Sequence, residues 1–169
     1  MMGDPGPFSG WKNGFWEGGS RVPFILRWPG QIAAGSVYSQ QVMAFDLLPT
    51  FVAAANGRLP GGTVSDGVDL LPYVRGSGEI PHQVLFWKGE KQGAARMGDW
   101  KYLRGYGSSP ATLQPGTHKL FNLKSDITEQ RDVSHANGAI LQELKSRWRA
   151  WCMTLPTSRS GRSPAGDCN

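Results

Sequence analysis

Ser9-Gly10-Trp11-Lys12-Asn13-Gly14-Phe15-Trp16-Glu17-Gly18-Gly19-Ser20-Arg21, running on through Val22-Pro23-Phe24-Ile25-Leu26-Arg27-Trp28-Pro29, sets one lysine in a glycine-rich loop just ahead of an apolar run. Glycines allow backbone to crowd against a ligand where a Cβ would collide. A lysine in such a loop presents a compact positive charge with three donors. Together they suit an oxyanion such as phosphate or sulfate, with Lys12 as the candidate catalytic residue. A tight loop carrying a solvated lysine has the same pattern, so the loop alone leaves both readings open. Trp11 and Trp16 flank Lys12 and are the candidates for lining a substrate mouth. Glu17 and Arg21 are spaced to pair across Gly18-Gly19 and hold the lysine loop. The nearly continuous apolar run Val22–Trp28 reads as a strand buried on both faces.

Beyond this run, Asp46 reads as a helix N-cap, with Pro49 early enough to be tolerated. Leu48, Phe51, Val52 and Ala55 then share one helical face, and Asn56-Gly57 is a stop signal. From about Ile80 to Leu123 the chain has short β-like runs at 83–87, 94–97, 100–104 and 118–122, separated by Gly, Pro and Ser clusters. These predict a small antiparallel sheet. Ile140, Leu141, Leu144, Trp148 and Trp151 form one apolar stripe on a helix from about Gly138 to Met153, with Glu143 and Arg147 as an i,i+4 pair. That helix is expected to cover one face of the sheet. The segment after Leu155, rich in Ser, Gly, Pro and Arg, has little to bury and is expected to be disordered and dispensable.

The lysine loop, read as Lys-x-Gly-x-x-Glu-Gly-Gly with Arg21-Val22-Pro23 and Trp28-Pro29-Gly30 behind it, resembles the second signature region of the sulfatase family. Five more segments follow in that family's order. They are Phe45 to Phe51, Asp66 to Pro72, Leu85-Phe86-Trp87, Ala95 to Tyr102, and Leu120 to Asp126 with Glu129. The resemblance runs from about Phe8 to Trp151. It implies an α/β protein containing the last strand and helix of a large α/β domain, then a small antiparallel sheet packed on a C-terminal helix. The corresponding divisions are 1–76, 77–155 and a tail, 156–169.

The family makes its nucleophile by converting a cysteine or serine to formylglycine within a Cys-x-Pro-x-Arg motif, and it binds calcium through Asp-Asp and Asp-Asn pairs. None of these motifs is present in this chain. Cys152-Met153-Thr154-Leu155-Pro156-Thr157-Ser158-Arg159 has the wrong spacing. The resemblance therefore implies the C-terminal part of a sulfuric ester hydrolase that acts on aryl or carbohydrate sulfates. Its calcium and formylglycine would be supplied by the complete protein. The same likeness places Lys12 against a sulfate oxygen. The complete protein would be periplasmic, secreted or lysosomal. Two alternatives stay open, a related phosphonate or phosphodiester hydrolase and a non-catalytic module binding anionic glycans.

The chain has 169 residues, among them 23 glycines and 12 prolines, which suits a loop-rich piece, and no apolar run long enough to span a membrane. Its net charge of +5 comes from scattered cations rather than a stripe. That argues against nucleic acid as a partner and is compatible with an anionic substrate. No signal peptide is visible at the start. His82, His118 and His135 lack metal-ligand spacing and read as surface or loop histidines; Cys152 and Cys168 read as two unrelated thiols, with pairing in an oxidising compartment as the alternative.

Overall fold

The computed structural model describes residues 4–106, 112–156 and 168. In chain order the elements are a one-turn helix α1 (Glu17–Ser20), a 3-10 turn (Ala44–Asp46), α2 (Leu47–Ala54), α3 (Leu71–Val74), strands β1 (Leu85–Lys88), β2 (Gly93–Met97), β3 (Trp100–Tyr106) and β4 (Leu113–Asn122), and the helix α4 (Gly138–Thr154). They fall into two compact units, Met1–Pro23 with Val84–Asn169, and Phe24–Gln83. The units divide the chain elsewhere than at residue 76, because the lysine loop packs with the sheet that follows it.

The first unit is built on a four-stranded antiparallel sheet in the order β1-β2-β3-β4. Side chains alternate across its faces. Ala95, Tyr102 and Leu120 face α4, where they meet Leu144, Trp148 and Cys152. The expected apolar stripe of α4 thus supplies its contact face, and full burial of a residue such as Leu144 is worth about 2 kcal/mol. Trp148 donates its Nε1–H to the Trp87 carbonyl at 3.0 Å, and its ring lies under the Arg104 guanidinium at 4.7 Å. Gly93 has no alternative, since an added Cβ would run into the Trp148 ring. Glu143 and Arg147 form the expected pair at 2.9 Å.

The opposite face carries Ala94, Leu103, Phe121 and Leu123, and Trp16 of the lysine loop closes over them. The sheet is therefore covered by α4 on one side and by residues from the chain's start on the other.

Cys152 and Cys168 are joined in a disulfide and belong to the α4-side core. This corrects the expectation of two unrelated thiols. It also corrects the expectation that everything after Leu155 is dispensable, because Cys168 is buried. The predicted disorder of the tail concerns residues 157–167 and 169, which lie outside the described residues.

The second unit holds the 3-10 turn, α2 and α3. Asp46 stands at the N-cap position of α2, as expected, but its side chain does not bond the helix N-terminus. It accepts instead from the backbone N–H of Met43 at 2.7 Å and of Val68 at 3.0 Å. Thr50 passes the link on, donating to the Asp46 carbonyl and accepting from Leu70 N–H. The helix stop is as read, with Asn56 left-handed at φ 53°. Val22–Trp28 is not a strand: the segment has no regular secondary structure, pairs with no strand among the described residues, and leaves Ile25 90% exposed. An apolar run becomes a buried strand only with ladder partners on its edges, and none is supplied here.

Candidate functional site

Lys12 sits at the tip of a tight turn closed by Gly14 N–H to Trp11 O at 3.1 Å. Asn13 holds the left-handed position of that turn, at φ 74°. Its carbonyl accepts from Gln92 Nε2 at 3.0 Å, which ties the turn to the β1–β2 connection. The Lys12 side chain is exposed and makes no ion pair or hydrogen bond with any described residue. It is a charge held out on a braced turn.

The glycines work differently from the sequence reading. Gly18 donates to Ser9 O at 2.8 Å, and a Cβ on it would stand 2.7 Å from that oxygen. A Cβ on Gly19 would collide with the carbonyls of Trp11 and Gly14. The Gly-Gly pair therefore lets the loop fold onto its own backbone, directly under the Lys12 turn.

Of the two tryptophans, Trp11 is 44% exposed beside Lys12, whereas Trp16 is only 3% exposed and packs against Phe121 at 5.4 Å between ring centres. Trp16 is a core residue, not the wall of a mouth. Its ring has more apolar surface than a polar loop can cover, and the sheet face of Leu103 and Phe121 is the nearest place to bury it.

Beneath the loop lies a buried ionic cluster. The Arg21 guanidinium pairs with Glu17 at 2.8 Å, as expected from the spacing. The rest of the cluster joins residues far apart in sequence, which no local spacing marks. Lys101 of β3 donates from Nζ to Glu17 Oε1 at 2.7 Å and stands 3.1 Å from Glu129 Oε1. Glu129 Oε2 accepts the Glu17 N–H at 2.7 Å, and Arg96 of β2 reaches Glu17 Oε2 at 3.4 Å. Lys101, Glu17 and Glu129 are all buried. Burial alone would raise the Glu17 carboxyl, but the charge and hydrogen bond of Lys101, aided by Arg96 and Arg21, hold it below the ordinary carboxylate value. Burial pushes the Glu129 carboxyl up; Lys101 and the Glu17 N–H oppose this, and the Glu17 charge adds to it.

His82 lies in a loop, as expected, but is bonded rather than solvated. Its Nε2 lies 2.9 Å from both carboxylate oxygens of Asp46, and its ring stands edge-on to Phe45, so it is a packed, bonded residue of the second unit. His118 bonds Tyr102 OH through Nδ1 at 2.8 Å, and burial lowers its pKa.

Among the described residues no group of three or more His, Cys, Asp or Glu side chains is placed to hold a metal ion. Both cysteines are consumed in the disulfide. The described residues thus do not fit a calcium cage or a formylglycine precursor. No helix among them is long and apolar enough to cross a membrane.

No family model matches the chain. It is 35% identical over 158 residues to human arylsulfatase A, covering 79% of this chain and 31% of that one. Among solved structures it is similar to Ps i-CgsB in complex with k-i-k-neocarrahexaose, at 30% identity and a TM-score of 0.70, over 92% of this chain and 32% of that one. It is also similar to the PsFucS1 sulfatase from Pseudoalteromonas sp., at 26% identity and a TM-score of 0.72, over 86% and 32%. The chain spans about a third of the length of these relatives.

Proposed function

We propose that this chain, whose sequence and fold are those of the C-terminal portion of sulfatases, supplies Lys12 as an oxyanion-holding residue to a complete sulfuric ester hydrolase. One observation carries the reading: an exposed ammonium, without partners among the described residues, is held at the tip of a turn braced from below by Gly18, Gly19 and Glu17. A cation fixed in advance stabilises developing negative charge without reorganising at the moment of reaction. On the sulfate ester, Lys12 would donate to a non-bridging oxygen and favour charge building on the sulfuryl group. The exposed Trp11 ring beside it offers an apolar wall to the aryl or sugar part of the ester. The nucleophile and any metal ligands would come from residues other than those described, so Lys12 acts electrostatically and not by covalent chemistry. The disulfide supports maturation in an oxidising compartment.

The test has two arms. Genomic DNA upstream of the chain should continue the reading frame and encode a Cys-x-Pro-x-Arg motif. The purified chain alone should release no nitrophenol from an aryl sulfate, while the continued protein should. Activity of the isolated chain, or an upstream frame without the motif, would refute the reading.

A further inference from the structure

The structure assigns Lys101 of β3 as the positioning residue for Lys12, acting through Glu17 and Glu129. The inference rests on the reading of Lys12 given above. Lys101 does not touch the Lys12 turn. It is fully buried and joins the two carboxylates that hold the loop to the sheet. The Glu17 side chain is one tether. The Glu17 backbone N–H on Glu129 is the other, and it enters α1 immediately behind the loop. Gly18 and Gly19, the next two residues, are those whose backbones lie against Ser9, Trp11 and Gly14. Glu129 adopts a left-handed backbone at φ 55°, which a non-glycine residue keeps only when its surroundings require it.

Economy of stability does not explain this cluster. Buried ion pairs commonly contribute less than apolar residues of the same size, whereas removing one partner strands a buried charge. What the arrangement provides is geometry. An ammonium between two carboxylates has one position that satisfies both, and that position sets where α1 begins and so where the Lys12 turn stands. A greasy contact at the same place would let the loop slide over Leu103 and Phe121.

The test is hydrogen exchange on the 169-residue chain at low micromolar concentration, read by mass spectrometry, for Lys101→Arg and Lys101→Met. Arginine keeps the charge but replaces a compact head with a planar fork. The expected result for Lys101→Arg is exchange at least about tenfold faster in peptides covering 9–20, with peptides from β2, β3 and β4 unchanged. In the complete enzyme the same variant should lower kcat about tenfold with KM within about twofold, the mark of a contact misplaced in the transition state. Unchanged exchange at 9–20 in both variants would overturn the inference. So would Lys101→Arg loss spread evenly over loop and sheet, which would make Lys101 a stability residue. A failure of the Lys12 reading looks different: Lys12→Ala would keep its turnover while the loop-specific exchange in Lys101→Arg remained.

Discussion

Trp16 and Trp11 are five residues apart in one glycine-rich loop, yet they have opposite fates. Trp16 lies on Phe121 and Leu103, so Trp16→Ala should cost about 3–5 kcal/mol by opening a cavity on the loop face of the sheet. Trp11→Ala should stay within about 0.5 kcal/mol, since a half-exposed ring leaves little behind. Denaturant midpoints of the two variants check this; equal losses would contradict the packing. Nothing local in the sequence distinguishes the two rings, because Leu103 and Phe121, on which Trp16 lies, come more than eighty residues later. The Glu17–Arg21 pair was legible, since four-residue spacing is a local rule. Lys101 was not. A lysine next to Trp100 in an alternating strand reads as solvent-facing, and only the loop folding over that face buries it. Glu129 was seen only as part of a turn motif, and no local signal marks its left-handed backbone as an anchor.

At the scale of elements, the sheet and α4 follow from patterns that need no distant partner. Short β-like runs gave strands within about two residues of β1–β3 but only the second half of β4, since Leu113 to Gly116 read as part of a Gly-, Pro- and Ser-rich connection, and the 3.6-period stripe gave α4 nearly to its ends. Val22–Trp28 failed as a strand because pairing is a property of neighbours, not of the run itself. The ionic cluster predicts a divided pH response. Glu17 has a folded value below its ordinary 4.5, so its contribution is present above 4.5 and is lost as pH falls through the folded value. Glu129 has a folded value above 4.5, so its contribution is complete below 4.5 and is lost as pH rises through the folded value. Glu129→Gln should therefore gain stability relative to the wild type as pH rises above 4.5. Glu17→Gln should lose relative stability as pH rises toward 4.5 from below. Urea midpoints from about pH 3 to 7 would show diverging curves, and parallel curves would contradict the assignment. The disulfide makes a second claim at this scale. It closes a span of 16 residues, so Cys168→Ser should cost about 3 kcal/mol in the chain-entropy account, and cutting after Leu155 should cost at least as much. A melting temperature unmoved by either change would show that the bridge contributes nothing.

For the whole molecule, the feature that matters is apolar surface without a cover. In the second unit Leu48 and Phe51 on α2, and Ile25, are more than half exposed. The second unit also has an open cleft of about 420 Å³ lined by Phe24, Leu26, Ile32, Tyr38 and Tyr73. Large apolar side chains left exposed in this way favour association. The isolated chain should therefore self-associate as its concentration rises, and a Leu48→Lys, Phe51→Asp double variant should suppress this without lowering the melting temperature. Sedimentation velocity distinguishes the outcomes; a wild-type chain monomeric at about 100 μM would contradict the expectation. The same surface fits a chain that spans about a third of its relatives. The proposed chemistry nonetheless turns on the Lys12 side chain, and kinetics test it. In the complete enzyme, steady-state turnover of an aryl sulfate should fall about a hundredfold or more in Lys12→Ala, with the melting curve unchanged. Lys12→Arg should recover only part of the loss, because a planar fork does not reproduce a compact ammonium at the tip of a tight turn. If Lys12→Ala instead keeps more than about half of the wild-type turnover, Lys12 is a solvated loop charge and the assignment of the site is wrong.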